Sequence, residues 1–169
     1  MQSEAAECGL ASLAMIAWHH GKKTGLGALR RRFPLSLKGA KLSHLIHIGQ
    51  QLGLSSRPLR LDMDHLDELK LPCILHWDLN HYVVLKKVGR AKVTILDPAI
   101  GERVLSRAEV SDHFTGVALE LSPSSDFKPE ASSPSITLRQ LTGRVEGLWS
   151  GLASVLLLSL ALQVFVVLT

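Results

Sequence analysis

The segment from Gln2 to Gly9 leads directly into an apolar run at residues 10–18 and constrains this 169-residue chain more than any other stretch. The run predicts a mostly apolar helix over residues 8–20, which Gly21 can end in a left-handed conformation. A cysteine that opens a helix lies at the positive end of the helix dipole, which stabilises its thiolate. Gln2 is placed to donate a side-chain amide to an oxyanion formed at the Cys8 sulfur.

Two later segments supply a base and a group that would orient it. His81 opens the apolar run NHYVVL at 80–85, and Asp97 lies in the turn-like sequence Leu-Asp-Pro at 96–98. Asp78 and Asn80 are nearer to His81 and are expected to be turn residues, with Asn80 a secondary candidate for the orienting role. Together Cys8, His81 and Asp97 are the parts of a papain-like cysteine peptidase. By itself, Cys8 also fits as a small buried hydrophobic residue.

The hairpin around Gly89 sets a geometric condition on this triad. If Lys87 pairs with Ala91 across a three-residue loop, His81 lies opposite Asp97. A two-residue loop would place those two side chains on opposite faces of the sheet. The triad therefore requires an odd loop or a β-bulge, and Gly89 is a residue that allows one.

The hydrophobic pattern predicts helices first and an antiparallel sheet afterwards, which is an α+β domain. Besides the first helix, helical spacing is expected at 26–33 and 42–52, with short helices at 63–69 and 106–114. Strands are expected at 57–61, 73–77, 81–88, 92–96 and 116–121.

Composition excludes several other classes of function. The formal net charge is only +4 and aromatic residues make up 5%, so a basic, aromatic-rich nucleic-acid surface is not expected. Arg30, Arg31 and Arg32 are read as the solvated end of a short helix.

His44 and His47 have no cysteine or carboxylate at ligand spacing, so no metal and no other cofactor is expected. His19 and His20 suit a helix C-terminus, and Cys73 reads as a buried strand residue.

The composition changes near residue 122. Residues 122–138 are rich in Ser and Pro and predict a linker. Residues 139–169 predict a juxtamembrane segment and one transmembrane helix, because no charge occurs after Glu146. Arg139 and Arg144 favour a cytoplasmic location for the amino side of that helix. No Walker-type phosphate loop is present, so no ATPase activity is expected in this chain.

Four motifs in order carry a resemblance to a known family: QSEAAECGLA at 2–11, FPLSLKG at 33–39, LPCILHW at 71–77 and NHYVVL at 80–85. This pattern resembles the C39 peptidases, the bacteriocin-processing domains of peptidase-containing ABC transporters of the colicin V exporter type. The resemblance covers about residues 2–121 and continues into the first transmembrane helix. Ser12 stands where the family often has a second cysteine, one helical turn after Cys8, and is not expected to alter the chemistry of the nucleophile.

The resemblance implies a papain-like domain at 1–121 with a Cys8–His81–Asp97 triad and Gln2 in the oxyanion hole. It implies cleavage of leader peptides after a double-glycine-type site, at the inner face of the bacterial cell membrane. It also implies a homodimer formed through transporter parts, with ATP expected only for the parent transporter. Two alternatives stay open: a peptidase-like docking domain that binds transport substrates without cutting them, and a cysteine amidase or acyltransferase acting on a small molecule.

Overall fold

The computed structural model describes residues 4–33 and 41–129, together with the isolated positions 154, 156, 157, 159 and 163. The chain divides into two compact units, Met1–Ser133 and Pro134–Thr169, and the fold below is that of the first. Its helices are α1 (Glu4–His19), α2 (Leu26–Arg32), α3 (Leu42–Gln51), a 3₁₀ helix (Met63–Glu68) and α4 (Arg107–His113). Its strands are β1 (Leu54–Arg60), β2 (Cys73–Trp77), β3 (His81–Val88), β4 (Lys92–Asp97), β5 (Gly101–Ser106) and β6 (Phe114–Pro123).

The six strands form one antiparallel sheet in the order β1-β6-β2-β3-β4-β5. Three helices precede the sheet in sequence, so the predicted α+β class is confirmed. Strand β3 alternates between two apolar clusters, with Tyr82 and Val84 in one and Val83 and Leu85 in the other. The first cluster also contains the buried faces of α1 and α3, and the second contains those of the 3₁₀ helix and α4. A strand buried on both faces explains why 82–85 is continuously apolar.

Helix α1 begins at Glu4, four residues before the predicted start at Cys8. Ala5, Ala6 and Glu7 are good helix formers, and acidic residues in a first turn suit the helix dipole. The prediction that Cys8 opens the helix is therefore wrong. The turn that ends this helix does contain Gly21 in a left-handed conformation, with φ of 92°.

Strand β5 was not among the predicted strands. It carries Glu102 and Arg103 and lies at the edge of the sheet, so most of its side chains are exposed or half-buried. An edge strand with charged residues lacks the apolar alternation that marks a half-buried strand. Without β5, the prediction also contains no strand that follows the turn after Asp97 and pairs with β4.

The predicted linker at 122–138 is described only as far as Pro129. Strand β6 continues to Pro123, and the hydroxyl and backbone N–H of Ser124 both donate to the carbonyl of Gly53. Phe127 packs against the first apolar cluster. Among the described residues, no helix combines the length and apolar character that crossing a bilayer requires. The transmembrane helix predicted within 139–169 lies outside the described residues, apart from the five isolated positions.

Candidate active site

Three elements bring together the sulfur, the imidazole and the carboxylate that the sequence singles out. Cys8 is on α1, His81 is the first residue of β3, and Asp97 is the last residue of β4. His81 Nε2 lies 2.9 Å from Asp97 Oδ1, and the backbone N–H of Ala99 donates to the same oxygen at 2.9 Å. Cys8 and Asp97 are each only 3% exposed. All three line one cleft of about 610 Å³.

His81 is strongly biased towards its protonated form. A hydrogen bond with the Cys8 side chain is the largest cause that raises the pKa of His81 to about 9, and Asp97 acts in the same direction. Partial burial of the ring opposes both effects. Since Nε2 is engaged with Asp97, Nδ1 is the ring nitrogen left to face the sulfur. The protonated ring thus lies between the Cys8 sulfur and the Asp97 carboxylate.

The register between β3 and β4 differs from the predicted pairing. Val84 lies opposite Leu96, and a bulge between Leu85 and Lys87 shifts the pairing nearer the turn. The same register would place Val83 opposite Asp97, so His81 is a diagonal neighbour of Asp97 on the same face. The pairing of Lys87 with Ala91 and of His81 with Asp97 is therefore wrong. The required β-bulge is present, and it lies within β3 rather than at Gly89.

The dipole argument for Cys8 changes with the start of α1. Cys8 is the fifth residue of the helix, and the regular hydrogen-bond pattern pairs its N–H with the carbonyl of Glu4. The field of a helix terminus falls off within the first turn, so the dipole of α1 contributes less at the sulfur than the sequence predicts. Gln2, the predicted oxyanion donor, lies outside the described residues.

The turn before His81 is held in an uncommon backbone conformation. Asp78 and Leu79 have φ of 47° and 63°, both in the left-handed region. The Asp78 carboxylate lies 2.7 Å from His113 Nδ1, and the His113 carbonyl accepts from the Asp78 N–H. Trp77 stacks on the His113 ring, with centroids 5.2 Å apart. Asp78 is thus paired with His113, whereas the carboxylate that contacts His81 is that of Asp97.

The cleft is also lined by an ion pair that the sequence does not indicate. Arg30 on α2 donates to the carboxylate of Glu7, the residue before Cys8. Arg30 is half exposed at the end of α2, as the sequence predicts, but its partner lies 23 positions away in the chain and no local pattern marks it. This pair ties α2 to the first turns of α1 beside the sulfur.

The second cysteine is unsuited to nucleophilic chemistry. Burial and the nearby Glu120 carboxylate raise the pKa of the Cys73 thiol to about 12. Its predicted location inside a strand is confirmed by β2. His44 and His47 are exposed on α3, and within residues 4–33 and 41–129 no three His, Cys, Asp or Glu side chains cluster as metal ligands would.

An antiparallel sheet with leading helices and a Cys–His–carboxylate cleft defines the class of papain-like cysteine peptidases. The model of the peptidase C39 family matches residues 1–126, and the chain belongs to that family. The resemblance stated from the sequence motifs is thereby confirmed.

Comparisons with individual proteins point the same way. The chain is 48% identical over 162 residues to the probable microcin-H47 secretion/processing ATP-binding protein of Escherichia coli. It is equally similar to the colicin V secretion/processing ATP-binding protein of the same species. In both cases the match covers 96% of this chain but only 23% of the relative.

Two solved structures share the fold. One is a double glycine motif protease from an AMS/PCAT transporter in complex with the leader peptide, with 34% identity and a TM-score of 0.68. That match covers 73% of this chain and 89% of the other. The second is the peptidase domain of Streptococcus ComA, a bi-functional ABC transporter, with 27% identity and a TM-score of 0.65. It covers 70% of this chain and 93% of the other.

Proposed function

We propose that this chain is a cysteine endopeptidase that cleaves leader peptides of bacteriocin-like secreted peptides after a double-glycine-type site. The observation that carries the proposal is the convergence of Cys8, His81 and Asp97 in one cleft, with His81 bonded to both partners. Membership in the peptidase C39 family and the leader-bound structural relative support the same substrate class.

The chemistry follows from the order of the three side chains. His81 holds the proton of Cys8, and the thiolate attacks the carbonyl carbon of the residue before the scissile bond. The tetrahedral intermediate collapses with cleavage of the C–N bond, and His81 gives its proton to the leaving amine. A water molecule, deprotonated by His81, then hydrolyses the thioester and restores the thiol.

Asp97 orients the imidazole in this mechanism. Its carboxylate accepts from His81 Nε2 and from the Ala99 N–H, so the acid group is fixed before substrate binds. A fixed carboxylate sets the ring tautomer and stabilises the imidazolium during proton transfer. We assign Gln2 to the oxyanion, because its side-chain amide is a donor and the regular pattern of α1 already uses the Cys8 N–H.

Specificity for small residues beside the scissile bond is proposed to arise by exclusion. Trp77 and Ile100 line the cleft together with the Glu7–Arg30 pair. Bulky aromatic and charged walls leave room for glycine near the sulfur but disfavour large side chains.

A second groove is proposed to hold the rest of the leader. It has a volume of about 640 Å³ and is lined by Met15, Trp18 and Leu96, among others. Asp97 lines both this groove and the catalytic cleft, so the two adjoin. Trp18 is 63% exposed, and such an exposed aromatic beside a groove fits the apolar face of an amphipathic peptide.

The parent protein is proposed to be a homodimeric ABC transporter in the bacterial cell membrane, with this domain in the cytoplasm. The E. coli relatives are secretion/processing ATP-binding proteins, and this chain spans 23% of their length. ATP would be bound by other parts of that transporter, and the proposed peptidase chemistry requires no cofactor. A reducing compartment also suits a catalytic thiol.

The decisive test is incubation of the purified chain, in detergent, with synthetic leader peptides that contain a double-glycine site. Mass spectrometry should find one cut directly after the second glycine. Cys8→Ala should abolish the cut but retain peptide binding, whereas Cys73→Ala should still cut. Binding without any cut by the wild type would instead favour the non-hydrolytic docking domain.

A further inference from the structure

We propose that Ser12 is a positioning residue that sets the distance between Cys8 and His81. The inference rests on the proposed function, since it concerns the same nucleophile and base. Ser12 touches no reacting atom; it acts through the backbone that carries them. This replaces the expectation from the sequence that residue 12 does not affect the nucleophile, because the structure bonds Ser12 to the residue after His81.

One hydrogen bond links the two catalytic elements. Ser12 is fully buried, and its Oγ donates to the backbone carbonyl of Tyr82 at 3.3 Å, across 70 positions of sequence. Ser12 lies one helical turn after Cys8, so both side chains are on the same face of α1. Tyr82 directly follows His81. The bond therefore joins the turn after the nucleophile to the residue after the base.

The apolar contacts between α1 and β3 cannot supply this alignment alone. Leu13 and Ile16 pack in the same cluster as Tyr82 and Val84. Such contacts are non-directional and tolerate small sliding along the helix axis. A hydrogen bond, by contrast, is directional, because its energy depends on the distance and angle between donor and acceptor.

The start of β3 needs this support because it is paired on one side only. The β3–β4 ladder begins at Val84, whereas the β2–β3 ladder extends to His81 opposite Trp77. On the other side of residues 81–83, the described strands provide no further pairing. The bond from Ser12 to the Tyr82 carbonyl ties this open end to α1.

A buried serine in a helix commonly donates to the carbonyl four residues earlier in its own helix. Ser12 instead donates to β3, a different element. Alanine at this buried position would avoid the cost of removing a hydroxyl from water. This direction favours a role in aligning two elements over simple satisfaction of a buried hydroxyl.

The test compares Ser12→Ala with Ser124→Ala. Ser124 is a matched control, because its hydroxyl also donates to a distant backbone carbonyl, that of Gly53, across 71 positions. A third variant, Ser12→Cys, keeps a side chain of similar size with a weaker donor. For each, kcat and KM on a double-glycine leader peptide are measured. The pH midpoint of Cys8 alkylation by iodoacetamide is followed by peptide mass spectrometry.

We expect Ser12→Ala to lower kcat about tenfold with little change in KM, since a sub-ångström misplacement costs rate rather than binding. The alkylation midpoint should move upward, because a less well aligned imidazolium stabilises the thiolate less. Ser12→Cys should lose roughly threefold in kcat, in keeping with its weaker donor. Ser124→Ala should leave kcat and the midpoint unchanged while lowering stability.

Unchanged kcat and an unchanged midpoint in a folded Ser12→Ala protein would overturn the proposal. If Ser12→Ala does not fold, Ser12→Cys carries the test, and wild-type values for both quantities would overturn it. The alkylation midpoint needs no leader cleavage. A shifted midpoint in a protein that cuts no leader would therefore overturn the proposed function and leave the role of Ser12 standing.

Discussion

His81 Nε2 lies 2.9 Å from Asp97 Oδ1, although the two residues are diagonal rather than direct neighbours on adjacent strands. The bulge between Leu85 and Lys87 sets the parity of the register, so both side chains lie on the same face. Asp97 is buried and also accepts the Ala99 N–H, so its carboxylate is held by a backbone bond as well as by His81.

Asp97→Asn should lower kcat by roughly 10²-fold or more, because an amide orients the ring but does not stabilise the imidazolium as a carboxylate does. The pKa of His81 should fall from about 9, since Asp97 is one of the groups that raise it. Steady-state kinetics on a leader peptide and NMR titration of His81 measure the two effects. A matched change at an exposed carboxylate, Asp112→Asn, should change neither. Equal kcat for Asp97→Asn and wild type would remove Asp97 from the mechanism.

The free energy of unfolding should fall as the pH rises from about 6.5 to about 9. The pKa of His81 is raised above the ordinary histidine value of 6.5, so the folded state keeps a proton that the unfolded state loses in this range. The contribution is complete below 6.5 and is lost as the pH passes through 9. Urea unfolding across this range measures it. In Cys8→Ala the slope should be flatter, because the largest cause of the raised pKa is removed.

Trp18→Ala should raise KM for a full leader peptide roughly tenfold and leave kcat nearly unchanged, since the lost contact is the same in the ground and transition states. A short peptide that contains only the residues around the double glycine should be cut equally by both proteins. Leu71→Ala is the control, because Leu71 is also an exposed apolar residue but does not line the groove. An unchanged KM for the full leader would show that the leader does not use this groove.

Much of the domain could be predicted because local sequence patterns mark its strands and its reactive residues. The predicted bounds of the strands 73–77 and 81–88 agree with the structure, since both are apolar runs ended by turn residues. Cys8, His81 and Asp97 could be selected by residue type and context. The strand register that brings His81 to Asp97 could not be predicted, because the bulge between Leu85 and Lys87 contains no glycine or proline to mark it.

Other features depend on partners that are distant in sequence. The pairing of Arg30 with Glu7 and of Asp78 with His113 exists only once α2 and α4 are packed. Strand β5 forms because β4 offers it a free edge, and its own side chains are mostly polar. Such tertiary contacts override the local pattern, so no local signal identifies them.

Leu79→Asn should raise the free energy of unfolding by roughly 0.5–1 kcal/mol. Leu79 has φ of 63° and is 80% exposed, so its backbone is strained and its side chain contributes little packing. Asparagine tolerates the left-handed region, whereas alanine does not. Leu79→Ala, which removes the same side chain but keeps the strain, should therefore show no gain. Urea unfolding of the three proteins distinguishes these outcomes, and equal stability of both variants would show that the turn is not strained.

Gln2→Ala should lower kcat roughly 10²-fold and barely change KM, because an oxyanion donor acts mainly in the transition state. In α1 the regular hydrogen-bond pattern pairs the Cys8 N–H with the Glu4 carbonyl, so this N–H is not left over for the oxyanion. Gln2→Glu is the matched variant, since it keeps the size of the side chain but replaces the amide donor with a carboxylate. It should be at least as slow as Gln2→Ala, because a negative charge would face the oxyanion. Alkylation of Cys8 should proceed at nearly the wild-type rate in Gln2→Ala, since that reaction forms no oxyanion. If kcat is undiminished in both variants, another donor stabilises the oxyanion and Gln2 has no part in the site.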